Sequence, residues 1–215
     1  YYENGRLKVK VMSKNGKLDG KYTQWYESGQ MDFERFYKDG KRDGMFTQWH
    51  ENGQMHLKGN YKNDMLEGNG KAWFKNGRLS QNTFYKNGKL DGKLESWHEN
   101  GELAHKENHK NGEQNGVAES WYDNGQKRSE INSKEGTLDG KWTEWYKNGQ
   151  KKQDSAYKGG FRDGKFIAWY ENGQKEIQAN FKDGEFEGKE TTWYEDGTVL
   201  TKAKYKDGVC ISGDC

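Results

Sequence analysis

The chain has 215 residues, and its 36 Lys and Arg nearly balance its 34 Asp and Glu, for a net charge of +2. This balance excludes the strong positive field that draws basic proteins to nucleic acid or to anionic membranes. The sequence contains no apolar run of the ~18 residues that a membrane-spanning helix needs, and no segment with the order of charged, apolar and small residues that marks a signal peptide.

Tryptophan recurs every 24 residues, and this period organises the chain. A glycine follows each of these tryptophans by four residues, and Trp142 is the only tryptophan outside the series. A fixed period of this length predicts a stacked array of structural repeats in place of separate globular domains. We call the series the tryptophan column: Trp25, Trp49, Trp73, Trp97, Trp121, Trp145, Trp169 and Trp193.

Two turn signals divide each repeat. An Asn-Gly pair follows the tryptophan in most copies, as at Asn52-Gly53, and it predicts a two-residue type I′ turn because both central residues of that turn need positive φ. A longer phrase carries two glycines four residues apart, as at Gly16 and Gly20. This phrase predicts a loop with two positive-φ positions.

The expected architecture is all-β. Strands are predicted over residues 21–27 and 30–37 and at the corresponding places of the other copies, and the absence of Pro leaves every backbone N–H free to join a ladder. The sequence therefore predicts a single-layer antiparallel β-hairpin repeat ribbon, an open β-meander of about eight and a half repeats. Residues 1–208 form the array in this interpretation, and residues 209–215 form a C-terminal cap or tail. Because Tyr1 falls in the middle of a repeat, we expect a longer natural chain.

Side-chain alternation predicts what each face of the sheet carries. With two-residue turns, Trp25 points to one face beside Thr23 and Glu27, and a bulge would swap part of this assignment. Two interpretations stay open: both aromatic sets serve only to pack neighbouring repeats, or the tryptophan column also forms an exposed groove for a partner. The opposite face is expected to carry Tyr22, Tyr26, Met31, Phe33 and Tyr37.

The copies differ at places that bear on binding. The residue six positions after the tryptophan is apolar in the first four copies and lysine in the next three. The third copy is irregular, with Asp64 where glycine is expected and Gly70 where an aromatic residue or Leu is usual. The variable position holds Met31, Met55, Leu79, Leu103, Lys127, Lys151 and Lys175.

The phrases Trp-Tyr-Glu-Asn-Gly-Gln and Tyr-Lys-Asn-Gly-Lys-Leu-Asp-Gly alternate along the chain. In these phrases the chain resembles the MORN-type repeat, specifically the bacterial variant found in YwqK-family antitoxins, over residues 1 to about 208. The resemblance implies a non-catalytic ribbon used as a binding scaffold. Members of this kind include antitoxin or immunity proteins and secreted or surface-exposed proteins, and lipid contact is proposed for eukaryotic relatives. The resemblance defines no catalytic or binding residues.

Side chains that could support catalysis or metal binding are too far apart or too regularly repeated. His50 and His98 lie two repeats apart, ~19 Å by strand spacing, and His105 and His109 lie ~13 Å apart along one strand. Carboxylates recur in every copy, whereas an active site is singular, and those before the second glycine are expected to bond their own turn. We therefore expect no enzyme activity, catalytic residue, metal or cofactor.

A lysine lies thirteen residues after each tryptophan position, and its central members are Lys62, Lys86, Lys110 and Lys134. A row of cations at ~10 Å spacing could contact a polyanion or phospholipid headgroups. The alternative is a solvated row that the nearby Asp and Glu neutralise. Nucleic acid is not an expected partner.

Cys210 and Cys215 lie outside the repeat pattern. They could close a six-residue loop, link to another chain or remain thiols. A disulfide would favour an oxidising compartment.

The leading hypothesis is a scaffold that binds a protein partner, a toxin being one candidate. Its candidate residues are Trp73, Trp97, Trp121 and Trp145, or Tyr122 and Tyr146 if the opposite face is used. The alternatives are a secreted or surface-attached adhesive or structural protein, and anionic lipid-headgroup binding through the lysine row. Contact with a membrane or glycan, and end-to-end association through open sheet edges, are further options. An antitoxin would be cytoplasmic, and an adhesive protein extracellular or at the cell surface.

Overall fold

The computed structural model describes all 215 residues and contains twenty-one β-strands and no helix. No helix is therefore present that could cross a membrane. The chain divides into two compact units: unit 1 comprises residues 1–102 and 109–112, and unit 2 comprises residues 103–108 and 113–215.

Most strands of unit 1 have six to nine residues. They are β1 (Val9–Lys14), β2 (Lys17–Trp25), β3 (Met31–Lys38), β4 (Lys41–Trp49), β5 (Met55–Lys62), β6 (Met65–Leu66), β7 (Gly68–Trp73), β8 (Leu79–Lys86) and β9 (Lys89–Trp97).

The strands of unit 2 follow the same pattern, and the last two residues of β10 group with unit 1. They are β10 (Leu103–Lys110), β11 (Glu113–Gln114), β12 (Gly116–Trp121), β13 (Lys127–Lys134), β14 (Thr137–Trp145), β15 (Lys151–Lys158), β16 (Phe161–Trp169), β17 (Lys175–Lys182), β18 (Glu185–Phe186), β19 (Gly188–Trp193), β20 (Val199–Lys206) and β21 (Val209–Gly213).

Within each unit the strands pair antiparallel with their neighbours in sequence. The short strands β6 and β18 share a partner strand with the strand that follows each of them. The predicted open β-meander with a repeat of about 24 residues is confirmed.

The turn after each tryptophan is a three-residue loop, so the predicted type I′ turn at Asn-Gly is wrong. The N–H of Gly53 donates to the carbonyl of His50, and the N–H of His50 donates to the carbonyl of Gln54, both at 2.8 Å. Gly53 has a φ of 84°, and this pattern is a type I turn followed by a glycine bulge. Asn suits this turn for two reasons: Asn52 Oδ1 accepts from the Gln54 N–H at 3.1 Å within the turn, and Asn52 Nδ2 donates to the Lys75 carbonyl of the next repeat at 2.8 Å.

The type I′ turn occurs in the second phrase. Asn15 and Gly16 have φ values of 51° and 75°, as both central residues of that turn require. Gly20 also has the predicted positive φ, 101°, but it lies inside β2 and not in a loop. The register of the β1–β2 pair shifts opposite this glycine, so the strand accommodates it as a β-bulge.

Strand register sorts the side chains onto two faces. The ring of Tyr22 stacks on Phe33 with centroids 5.4 Å apart, which confirms that the two share one face. Trp25 lies on the other face. A bulge shifts the register between Gln24 and Trp25, so that Met31 becomes the cross-strand partner of Trp25 and lies on the same face as Trp25. The prediction that Met31 shares the face of Tyr22 is therefore wrong. We call the two sides the tyrosine face and the tryptophan face.

The tyrosine face carries most of the aromatic packing. Neighbouring rings contact one another with centroids 4.5 to 6.1 Å apart, the range in which aromatic pairs add stability beyond their buried area. Small residues lie next to the rings, and a Cβ added to Gly59 would come within 2.7 Å of the Phe46 ring. The ring pairs are Tyr22–Phe33, Tyr22–Tyr37 and Phe46–Tyr61 in unit 1, and Trp142–Tyr157, Phe166–Phe181, Phe181–Phe186 and Phe186–Tyr205 in unit 2.

Side chains at one margin of the sheet bind each repeat to the next. The tyrosine that follows the tryptophan donates its hydroxyl to the tryptophan carbonyl of the next repeat, 23 residues further on, at 2.6 to 2.9 Å. His50 and His98 replace this tyrosine in two copies, and the Nε2 of His50 lies 3.0 Å from the Trp73 carbonyl. The tyrosine donors are Tyr2, Tyr26, Tyr122, Tyr146 and Tyr170.

Carboxylates bind the repeats together at the other margin. The expectation that they bond their own turn is wrong, because they accept from the turn of the next repeat. Glu67 accepts from the backbone N–H of Asn87 at 2.8 Å, and Asp19 accepts from that of Asp39 at 3.3 Å. The carboxylate and the N–H are 20 residues apart in sequence, and they lie close together because the meander places equivalent turns of successive repeats side by side.

The Tyr146 hydroxyl offers a test of this inter-repeat bonding. Tyr146→Phe removes the donor to the Trp169 carbonyl and leaves the ring, so we expect the free energy of unfolding to fall by about 0.5–1.5 kcal/mol. Urea unfolding followed by circular dichroism measures the change. Tyr194→Phe is the matched control, since Tyr194 occupies the same repeat position and is 52% exposed. Equal losses in the two variants would contradict the stacking role.

Candidate binding surface

The tryptophan face presents the indole column at the ends of strands. Every member of the column is partly buried and none is fully covered. Trp73 and Trp97 end β7 and β9 in unit 1, and Trp121 and Trp145 end β12 and β14 in unit 2. The structure therefore places all four candidate tryptophans on one type of surface, the tryptophan face.

In unit 1 the face is apolar around the tryptophans. Met45 and Met55 are 58% and 40% exposed, and with Trp73 they line a shallow groove of about 380 Å³. Methionine adapts its shape to what it contacts because its side chain is unbranched and polarizable. This part of the surface can therefore accept an apolar group.

In the middle copies of unit 2, Lys127, Lys151 and Lys175 replace the apolar residues beside the tryptophans. Lys127 Nζ lies 5.6 Å from the ring centroid of Trp145, and Lys151 lies 5.7 Å from that of Trp169. Such cation–π contacts contribute about 0.5–1 kcal/mol at exposed sites. Lysine stems also cover the indole rings with methylene groups.

Carboxylates accompany these lysines. Lys127 Nζ donates to Glu119 at 2.7 Å and to Glu130 at 2.6 Å. The hydrogen bond from Lys127 holds the pKa of Glu119 below its ordinary value. The tryptophan face of unit 2 is thus a mixed charged and aromatic surface.

The alternative candidates Tyr122 and Tyr146 have a structural task. Their hydroxyls donate to the Trp145 and Trp169 carbonyls at 2.9 and 2.8 Å. Burial, followed by the charge of Glu176, raises the pKa of Tyr146 above its ordinary value, so the hydroxyl stays protonated as a donor. A ligand could reach the rings of these residues and would find the hydroxyls engaged.

Sequence reasoning missed one pair of ionisable rings. His50 and His56 stack with centroids 4.2 Å apart, across the three-residue turn that contains Asn52 and Gly53. Burial, together with the nearby His50, lowers the pKa of His56. No group of three or more His, Cys, Asp or Glu is arranged to hold a metal ion.

The lysine row lies at the turn margin, where each of its members is the last residue of a strand. All four candidates are exposed, and none forms an ion pair with the neighbouring carboxylates, which instead accept backbone N–H groups. They are Lys62 of β5, Lys86 of β8, Lys110 of β10 and Lys134 of β13.

The comparison with protein families agrees with this architecture. A family model described as a MORN repeat variant matches seven stretches that together cover more than half of the chain. The chain belongs to the MORN repeat family. MORN repeats are generally non-catalytic repeat modules, and no curated protein matches this chain significantly. The matched stretches are residues 18–39, 42–63, 90–111, 114–135, 138–158, 162–183 and 186–207.

The irregular third MORN copy lies between the second and third matched stretches. It carries Gly70 on the tyrosine face, where a Cβ would lie 2.9 Å from the Thr83 hydroxyl. It also carries Phe74 at the position of the bonding tyrosine, and a phenylalanine has no hydroxyl to donate. Trp73, one of the candidate residues, belongs to this copy.

After the last MORN copy, β21 pairs with β20, and a disulfide joins Cys210 to Cys215 with Cα atoms 5.9 Å apart. The Lys202 N–H donates to the Asp214 carboxylate at 2.9 Å. These contacts hold the terminal residues against the array.

Replacing Lys127 tests the electrostatics of the tryptophan face in unit 2. Lys127→Met reproduces the residue type of the early MORN copies and removes the donor to Glu119, so the pKa of Glu119 should rise toward its unfolded value. A carboxylate whose pKa is lower in the folded state than in the unfolded state stabilises the fold at pH values above its unfolded-state pKa. This stabilisation is lost as the pH falls through the folded-state pKa. Carboxyl carbon NMR titration measures the change, with Lys141→Met as control. An unchanged Glu119 pKa in Lys127→Met would refute the assignment.

Proposed function

We propose that this MORN array is a non-catalytic scaffold that binds a protein partner through its tryptophan face. The observation that carries the proposal is that the two faces and the two margins of the sheet make different kinds of contact. The tyrosine face packs ring on ring, the two margins are hydrogen-bonded between repeats, and the tryptophan face keeps large side chains partly exposed. We therefore assign partner binding to the tryptophan face.

Tryptophan suits this role energetically. It buries a large area with few rotatable bonds, and it is enriched among the residues that dominate binding energy. A surface built from hydrogen-bonded hairpins is also rigid, so binding costs little ordering entropy. We propose Trp73 and Trp97 as the anchors in unit 1, and Trp121 and Trp145 as those in unit 2.

The resemblance to bacterial YwqK-type antitoxins supports a toxin as one candidate partner. In that case the protein would work in the cytoplasm and would neutralise the toxin by covering a surface that the toxin needs. The tyrosines Tyr122 and Tyr146 are the alternative contact residues if a partner uses the opposite face.

A second candidate function is supported by the Cys210–Cys215 disulfide. Disulfides persist mainly in oxidising compartments, which favours a secreted or surface-attached adhesive or structural protein.

The unpaired lysine row in turn favours contact with anionic headgroups. Salt-sensitive binding to vesicles with 30 mol% phosphatidylserine would distinguish this lipid role, because such attraction is screened by salt.

Replacement of two central tryptophans tests the proposed function. Trp97→Ala with Trp121→Ala removes one anchor from each unit, and we expect the affinity for the partner to fall about tenfold or more. Affinity capture from the native lysate and secreted fraction identifies the partner by mass spectrometry. Calorimetry with the purified partner then measures the loss.

The control for this experiment is Trp142→Phe, which alters the one tryptophan of the tyrosine face, packed on Tyr157 at 5.7 Å. Its affinity should equal that of the wild type. Circular dichroism checks that the double variant keeps its sheet. A folded double variant with unchanged affinity would show that the tryptophan column does not bind the partner, and a partner absent from both fractions would overturn the scaffold proposal.

A further inference from the structure

One row of side chains crosses the tryptophan face in the middle of the strands. Its members lie directly opposite one another in the register of adjacent strands, so neighbours in the row have Cβ atoms about 4.5–5.5 Å apart. In unit 1 the row reads Lys10, Thr23, Glu34, Thr47, Lys58, Lys71, Asn82 and Glu95. In unit 2 it reads Lys106, Glu119, Glu130, Thr143, Asp154, Ile167, Gln178, Thr191 and Lys202.

Most neighbours in this row are chemically compatible. Asn82 donates to Glu95 at 3.5 Å, Lys106 pairs with Glu119 at 3.5 Å, and Thr143 donates to Asp154 at 2.6 Å. Such cross-strand pairs each stabilise a sheet by roughly 0.2–1 kcal/mol, whereas like charges directly opposite one another destabilise it.

Two like-charged pairs break the pattern, and they differ in whether a side chain of opposite charge lies beside them. The acidic pair Glu119 and Glu130 is bridged by Lys127, which donates to both carboxylates. The basic pair Lys58 and Lys71 has no carboxylate within ion-pair distance. The acidic pair therefore has its counter-ion within the chain, and the lysine pair lacks one.

The acidic members of the row on either side cannot neutralise the lysines. Glu34 is already paired with Lys21, and Glu95 accepts from Asn82. Thr47 lies between Glu34 and Lys58 and carries no charge. Lys58 and Lys71 are both exposed, so water screens their repulsion and the fold tolerates it.

The lysine pair lines a groove that also contains apolar side chains. Lys58 and Lys71 line the same 380 Å³ groove as Met45, Met55 and Trp73. Two exposed thioethers and an indole beside two unpaired ammonium groups form a surface with an apolar part and a cationic part. The remaining lining residues are Gly59, Asn60 and Asn69, and none of them is acidic.

We propose that this groove binds an acidic side chain next to a large apolar side chain in an extended segment of the protein partner. The carboxylate lies between the Lys58 and Lys71 ammonium groups and supplies the missing counter-ion. The apolar side chain packs on Met55 and Trp73. This inference rests on the proposed function, for which it names one element of the partner's chemistry.

A carboxylate fits this groove better than a phosphate group. Phosphate sites in proteins combine charge with bidentate Arg or with free backbone N–H groups. The groove contains no Arg, and it lies on strands whose backbone groups serve the sheet ladder.

Labelled peptides test the proposal on the full chain by fluorescence anisotropy. The first probe alternates glutamate with leucine over nine residues, and the second has glutamine in place of every glutamate. We expect the glutamine peptide to bind the wild type about tenfold more weakly, since it loses the charge-assisted contacts.

Two double variants locate the site. Lys58→Glu with Lys71→Glu should weaken the glutamate peptide by about tenfold or more, and the Arg replacements of the same residues should stay within about threefold of wild type. The matched control is Lys10→Glu with Lys93→Glu, which makes the same charge change at exposed lysines of unit 1 outside the groove. Circular dichroism confirms that all variants are folded.

Three results would overturn the proposal: equal binding of the glutamate and glutamine peptides, equal loss in the Lys10/Lys93 control, or tight binding of a phosphoserine peptide alone. The purified partner separates this inference from the proposed function. If that partner depends on Trp97 and Trp121 but binds the Lys58/Lys71 variant as well as wild type, the scaffold stands and the groove assignment fails. If it depends on neither set, both fail.

Discussion

The fold depends on hydrogen bonds between a side chain of one repeat and the backbone of the next. At one margin Tyr146 donates to the Trp169 carbonyl, and Asn148 reaches the following turn in the same way. At the other margin Glu67 accepts from the next type I′ turn. These bonds explain how a sheet with few fully buried apolar residues is held together, because each satisfies a backbone group that would otherwise need water.

This bonding also explains why the two faces differ. The tyrosine face completes the cohesion with stacked rings such as Tyr22 on Phe33. On the tryptophan face the residue beside the tryptophan changes from Met55 in unit 1 to Lys127 in unit 2. Stacked repeats present extended surfaces of this kind to binding partners. The like-charged pair Lys58 and Lys71 departs from the rule that cross-strand neighbours have compatible charges. Such departures from local rules occur most often at functional sites.

The 24-residue period and the strand alternation were enough to predict the open meander and the tyrosine face, because both are local properties of the sequence. The turn types were not predictable from the Asn-Gly signal. The same three-residue turn also forms at Ser28-Gly29 and Asp196-Gly197, so the contact that Asn52 makes with the next repeat does not select it. The bulge that follows moves Met31 to the tryptophan face, and the same turn brings His50 and His56 together. The candidate tryptophans could be named from the period, whereas the Lys58–Lys71 pair needed the strand register.

We propose that the tryptophan face, and not the tyrosine face, meets the partner. The indole N–H signals of the nine tryptophans report on both faces in one NMR spectrum of ¹⁵N-labelled protein. On addition of the captured partner, we expect shifts or broadening of column signals such as those of Trp73 and Trp97, with the Trp142 signal unchanged. A spectrum in which Trp142 responds while the column signals stay in place would contradict it.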